Sequence, residues 1–145
     1  MSKTHWSVPT PFMRAVLTIL ICLFSFNVRL RASEPRQQVE AFLDAVVAGN
    51  IDAAYDGLFK GSYVLQFKPE QVEYLKSQSK AALPLYGALI GYDLVADAPF
   101  GTSVRMLVYI LKAEKHPLVW VFYYYCPKDV WFLSNLSFND EFKGL

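Results

Sequence analysis

The chain has 145 residues, of which 54% are hydrophobic and 16% aromatic, and it carries 14 basic and 13 acidic side chains. Removal of an export signal at residues 1–32 leaves 113 residues. That segment contains four of the 14 bases and none of the 13 acids, so the remaining chain has 10 bases, 13 acids and a net charge of −3. This balance excludes a nucleic-acid-binding function, which requires a clustered basic surface. The remaining length suits a single domain with a modest core.

The first 32 residues are predicted to be a signal peptide. Lys3 and Arg14 precede an apolar run of 12 residues, Ala15 to Phe26, and the small residue Ala32 stands where cleavage can occur. A run of this length fits the apolar part of a signal peptide and is too short to span a bilayer. The mature chain, 33–145, is therefore expected to be exported, periplasmic or secreted, with no membrane span. The alternative is an uncleaved N-terminal segment that anchors the protein in a membrane.

Three helices are predicted next. Apolar residues recur at three- and four-residue steps between Glu34 and Ala48, which predicts an amphipathic helix that Gly49 ends. A second short helix starts at Asp52, and a third opens at 68–70, since Pro and acidic residues favour the first turn. Segment 62–67 between them is compatible with a short strand or an extended connection. The residues expected to face the core are Val39, Phe42, Leu43, Val46, Val47, Ile51, Ala54, Tyr55, Leu58, Val72, Leu75, Ser79, Ala82 and Leu83.

The last third of the chain predicts an antiparallel meander of four strands. They run over about Leu89–Ala98, Ser103–Lys112, Leu118–Cys126 and Val130–Asn139, and turn signals with Gly, Pro or Asp separate them. Such spacing is typical of hairpins rather than of βαβ units. Helices followed by an antiparallel sheet give an α+β fold in which the N-terminal helices pack on a curved four-stranded meander.

Alternation along the strands predicts two apolar faces. The first face is expected to contain Leu107, Tyr109, Leu111, Trp120, Phe122, Tyr124, Trp131, Leu133 and Asn135. The second face is expected to contain Val104, Met106, Val108, Ile110, Val119, Val121, Tyr123, Tyr125, Phe132 and Leu136. An exposed antiparallel sheet normally has one polar face. Because the helices cover only one side, the second face predicts a homodimer formed through the sheet.

The order of the elements resembles the nuclear transport factor two-like, or cystatin-like, superfamily. The residues that carry the resemblance are Gly-Asn-Ile-Asp-Ala-Ala-Tyr at 49–55 and the last strand, which reads Trp-Phe-Leu-Ser-Asn-Leu at 131–136. The resemblance covers nearly all of 33–145 and implies a cone, in which a curved sheet wraps around helices and encloses a cavity. Many exported relatives of this kind resemble domains of unknown function, and the fold alone does not supply a chemistry.

A candidate pocket lies on the concave face of this cone. Aromatic walls with a few polar groups suit a small apolar ligand. The alternative is that the same aromatic side chains fill the core and leave no cavity. The candidate ligand-binding residues are Tyr55, Arg105, Tyr109, Trp120, Tyr124, Trp131 and Asn135.

The sequence gives no catalytic set. His116 falls in a predicted hairpin turn, and the register places Asp93 and Asp97 on the face away from Tyr109. The mature chain has one Cys and one His, which cannot form a metal site, and no cofactor is expected. Cys126 is interpreted as a buried small hydrophobe, with an intermolecular disulfide as the alternative.

The expected function is therefore a non-catalytic exported domain that binds a small apolar ligand or a protein partner. The alternative is a small isomerase- or hydratase-like enzyme, as in catalytic members of the resembled superfamily. Such an enzyme needs a carboxylate inside the cone with a tyrosine in hydrogen-bond reach.

Overall fold

The computed structural model describes residues 34–142, and the predicted signal peptide lies outside them. The described chain is an α+β fold, in which four α-helices precede a four-stranded antiparallel sheet. The strands follow in the order β1-β2-β3-β4, so β1 and β4 are the free edges of an open sheet. The prediction of helices on an antiparallel meander is confirmed.

The helices are α1 (Pro35–Val47), α2 (Ile51–Leu58), α3 (Tyr63–Phe67) and α4 (Pro69–Ala82), and a 3₁₀ turn, Leu83–Tyr86, extends α4. The three predicted helices are confirmed as α1, α2 and α4.

Helix α1 ends as the sequence predicts. Gly49 has a φ of 79°, a left-handed conformation that costs glycine least. The Gly49 amide donates to the Val46 carbonyl, and the Asn50 amide donates to the Ala45 carbonyl. These two bonds form a Schellman motif, which turns the chain sharply into α2.

The prediction for segment 62–67 is wrong, because this segment forms helix α3. The Ser62 hydroxyl accepts a hydrogen bond from the Leu65 amide and so caps the helix. One helical turn also places Tyr63 beside Phe67, and the two rings stack at 4.1 Å. The sequence is compatible with a short strand or an extended connection, but the serine cap favours a helix.

The strands are β1 (Leu89–Phe100), β2 (Val104–Ala113), β3 (Leu118–Tyr125) and β4 (Phe132–Asn139). Strand β1 extends two residues beyond its predicted end and includes Pro99, which an edge strand tolerates. Strand β4 begins two residues later than predicted, so Trp131 precedes it.

Irregularities in the pairing move two residues to the face opposite the predicted one. A shift between Tyr123 and Tyr124 pairs Tyr123 with Asn135 and Tyr124 with Leu133. Asn135 therefore lies on the outer face, whereas Leu136 is buried in the core, and both predictions are wrong. A bulge adds one residue to a strand and reverses the alternation beyond it.

The same effect places Asp97 on the inner face. The β1–β2 register shifts between Leu94 and Ala96, so Asp97 pairs with Leu107, whereas Asp93 pairs with Ile110 on the outer face. The prediction that both aspartates lie away from Tyr109 therefore holds for Asp93 and is wrong for Asp97.

The helices cover the inner face of the sheet, and the core lies between the two layers. The largest side chains that are completely or almost completely buried there come from both layers. They are Val39, Phe42, Leu43, Tyr55, Leu107, Tyr109, Leu111, Leu118, Trp120, Phe122, Tyr124 and Leu133.

Candidate functional site

Four of the seven predicted ligand-binding residues lie in the packed core. Tyr55, Tyr109, Trp120 and Tyr124 each have 0% exposed surface. Their rings pack on neighbouring aromatic side chains, such as Trp120 on Phe138, whose ring centroids are 4.6 Å apart. In these positions the aromatics act as core residues, which agrees with the filled-core alternative.

The other three predicted residues lie at the margins of the sheet. Arg105 and Trp131 line one cleft of about 460 Å³ beside the β1–β2 hairpin. Asn135 lines a different cleft, of about 290 Å³, between β4 and helices α3 and α4. The seven residues are therefore not brought together in one pocket.

Three buried or half-buried tyrosines of the sheet hydrogen bond to helix α1. The Tyr92 hydroxyl donates to Asp44 Oδ1 at 2.8 Å, Tyr109 donates to Glu40 Oε1 at 3.3 Å, and Tyr124 donates to Gln38 Oε1 at 3.2 Å. Burial raises the pKa of Tyr109 to about 12 and raises the pKa values of the other two as well. The hydroxyls thus stay protonated and attach α1 to the sheet.

The apolar stripe of α1 predicts which of its residues face the core, but it does not identify the acceptors of these bonds. Gln38, Glu40 and Asp44 occupy helix positions beside that stripe. Their polar character next to a tyrosine-rich sheet was the available signal. The sheet register was needed to pair each acceptor with its tyrosine.

Helices α2 and α4 are joined by a buried hydrogen bond. Tyr55 Oη and Ser79 Oγ lie 2.6 Å apart, and Ser79 is completely buried. Burial raises the pKa of Tyr55 to about 12, and the bond to Ser79 opposes part of that rise. By contrast, Trp120 Nε1 is a buried donor without a partner among residues 34–142.

Arg105 is engaged by two carboxylates. Its guanidinium donates two bonds to Asp97, at 2.6 and 2.7 Å, and a weaker one to Glu34 at 3.4 Å. The hydrogen bond from Arg105 holds the pKa of Asp97 below its usual value. Because these donors are already paired, Arg105 serves chiefly to connect β1, β2 and the start of α1.

The arrangement offers little to a catalytic mechanism. Glu40 and Asp44 have tyrosines in hydrogen-bond reach, but neither carboxylate lines the cleft at Arg105, the cleft at Asn135 or the cleft between the ends of α1 and α4. His116 is exposed in the β2–β3 turn, as predicted. Cys126 is a free, partly exposed thiol, so the prediction that it is buried is wrong. Within residues 34–142, no group of three or more His, Cys, Asp or Glu side chains is placed to hold a metal ion.

A cleft with largely aliphatic walls lies at one end of the helical layer. It encloses about 420 Å³ between the ends of α1 and α4 and the beginnings of α2 and β1. The residues that line it are Val46, Val47, Gly49, Ile51, Ser79, Lys80, Leu83, Pro84, Gly87 and Leu89.

The outer face of the sheet forms a second candidate surface. Its apolar residues on β2 and β3 include Met106, Ile110, Val121 and Tyr123, which are partly exposed. Val108 and Val119 on the same face are buried, and none of these six residues belongs to the core cluster between the sheet and the helices or packs against it.

No helix among residues 34–142 is both long and apolar enough to cross a membrane. Compared with known proteins, the chain matches no family model, no curated protein and no solved structure. Function is therefore inferred from the geometry of residues 34–142.

Proposed function

We propose that this protein is a non-catalytic, exported binding domain of the nuclear transport factor two-like kind, and that it self-associates through the outer face of its sheet. The observation that carries this proposal is the contrast between a completely filled inner face and an apolar outer face. Export is supported by the short apolar run at 15–26.

A second copy of the chain is the partner that the outer face suits best. The two central strands, β2 and β3, present apolar residues along their whole paired length. The only charged residues of this face within 34–142, Asp93 and Lys112, form an ion pair at 2.9 Å, so the face has no net charge. Two such faces can therefore meet without electrostatic repulsion, as a two-fold dimer requires.

The enzymatic alternative is supported by two tyrosine–carboxylate hydrogen bonds, Tyr109 with Glu40 and Tyr92 with Asp44, of which the second is exposed. It is weakened by the complete burial of Tyr109, which leaves no room for a substrate beside its hydroxyl. A catalytic pair must contact the reacting atoms. The binding role is therefore preferred.

Sedimentation velocity of the exported chain at micromolar concentration tests the proposal. The wild type should sediment as a dimer, and Tyr123→Glu should sediment as a folded monomer, because it places a charge in the centre of the interface. Tyr74→Glu is the matched control, since Tyr74 is 64% exposed on α4, away from the sheet face. A monomeric wild type, or a dimer that Tyr123→Glu leaves intact, would contradict the proposal.

The export part has its own test. N-terminal sequencing of the protein from its native host should find a chain that begins near Ser33. An intact Met1 on soluble cytoplasmic protein would overturn it.

A further inference from the structure

The cleft at the end of the helical layer takes no part in the self-association proposed above. Its volume of about 420 Å³ lies within the range of small-molecule sites. The aromatic interior is filled by its own side chains. A small ligand is therefore sought in a surface cleft, and this one combines aliphatic walls with a lysine.

The walls of the cleft are aliphatic. Val47, Ile51, Leu83 and Leu89 line it, and no aromatic ring does. Flat aromatic ligands are usually held by stacking on protein rings. An alkyl chain needs only aliphatic contact, and its affinity rises with each methylene that is buried. The walls thus favour a flexible alkyl chain over a planar ring.

Among residues 34–142, Lys80 is the one cationic residue that lines the cleft. Lys80 Nζ contacts Asp52 Oδ1 at 2.7 Å, but the two side chains are 49% and 62% exposed. An ion pair this exposed contributes little, so Lys80 can exchange Asp52 for an anionic ligand group at small cost. Ser79, which also lines the cleft, already bonds to Tyr55. The charge at the cleft therefore complements an anionic head group.

We propose that this cleft binds a single-chain amphiphile such as a fatty acid, with its alkyl chain on the aliphatic walls and its carboxylate at Lys80. The proposal names a ligand class for the binding domain proposed above and rests on that binding role, but it does not depend on self-association. The cleft shares no residue with the outer face, so ligand binding and self-association can fail separately.

The test compares dodecanoate, dodecanol and dodecyltrimethylammonium, which share one alkyl chain and differ in head-group charge. Each is titrated into the exported chain below its micelle concentration, with calorimetry and amide NMR as readouts. Dodecanoate should bind best, and the shifted amides should cluster at Ile51, Lys80 and Leu89. Lys80→Gln should lower the affinity for dodecanoate by about fivefold, which corresponds to the loss of one exposed ion pair. The affinity for dodecanol should stay unchanged.

Lys60→Gln is the matched control, because Lys60 is exposed and does not line this cleft. Tyr123→Glu should leave dodecanoate binding unchanged, which separates this inference from the dimer. Three outcomes would overturn the inference: no saturable binding of dodecanoate, equal binding of all three probes with no effect of Lys80→Gln, or amide shifts confined to the outer face.

Discussion

The two faces of the sheet have similar apolar composition but different roles. On the inner face, Tyr109, Trp120 and Tyr124 are fully buried, and both tyrosine hydroxyls reach an acceptor on α1. On the outer face, Met106 and Tyr123 stay partly exposed and lie outside the core. The difference shows that aromatic content alone does not identify a pocket. What differs is that, among residues 34–142, the helices pack on the inner face alone.

The largest expected effect comes from emptying the inner face. Trp120→Ala removes a fully buried ring and should lower the free energy of unfolding by about 3–5 kcal/mol. Trp131→Ala is the matched control, because Trp131 precedes β4 and is only partly buried, so the loss should be about 1 kcal/mol. Urea unfolding measures both. Equal losses would contradict the placement of Trp120 in the packed core and of Trp131 at its margin.

A smaller effect tests whether the buried hydrogen bond between Tyr55 and Ser79 stabilises the fold. Tyr55→Phe should cost about 1–2 kcal/mol, because it leaves the buried Ser79 hydroxyl without its partner. Adding Ser79→Ala removes that unpaired group, so the double variant should be more stable than Tyr55→Phe alone. Urea unfolding of the two single variants and the double variant measures the coupling. Simple additivity would show that this hydrogen bond contributes nothing specific.

Low pH should remove the stability that the Asp97–Arg105 ion pair contributes. The folded-state pKa of Asp97 is lowered by Arg105, so the ion pair stabilises fully above the unfolded-state pKa of about 4. The stabilisation is lost as pH falls through the lower folded-state pKa. Asp97→Asn should therefore cost about 1 kcal/mol at neutral pH, and this difference from the wild type should shrink toward about pH 2. Urea unfolding across this pH range measures it. A difference independent of pH would refute the ion-pair explanation.

The smallest expected effect comes from the ion pair on the outer face. This pair has the same charges as the pair on the inner face but is more exposed. Asp93 and Lys112 are 63% and 42% exposed, whereas Asp97 and Arg105 are 25% and 26% exposed. Asp93→Asn should change the stability of the monomer by less than about 0.5 kcal/mol. The measurement is made in the Tyr123→Glu background, where the proposed interface is absent. A loss as large as that of Asp97→Asn would mean that exposure does not distinguish the two pairs.

Much of the fold could be predicted because its signals are local. The apolar stripe of α1, the glycine that ends it and the hairpin turns all depend on residues close together in sequence. The positions of Asn135, Leu136 and Asp97 could not be predicted, because each lies beyond a strand irregularity that reverses the alternation. The alternation of side chains along a strand predicts their face of the sheet only where the pairing register is regular.

The candidate site was harder to predict for a related reason. The sequence indicated which aromatics share a face, but whether they line a cavity depends on how closely the helices approach. Tyr55 and Trp120 are as buried as any aliphatic core residue, and this follows from packing with Phe42 rather than from their own identity. The cleft at Lys80 joins the ends of four elements, and no sequence pattern connects them.

The concentration dependence of unfolding tests most directly whether the outer face is the binding surface. A dimer that unfolds to monomers becomes more stable as protein concentration rises. The urea midpoint of the wild type should therefore increase over a roughly hundredfold range of concentration, whereas that of Tyr123→Glu should stay constant. Tyr74→Glu should behave as the wild type does. A wild-type midpoint that is independent of concentration would contradict self-association through this face.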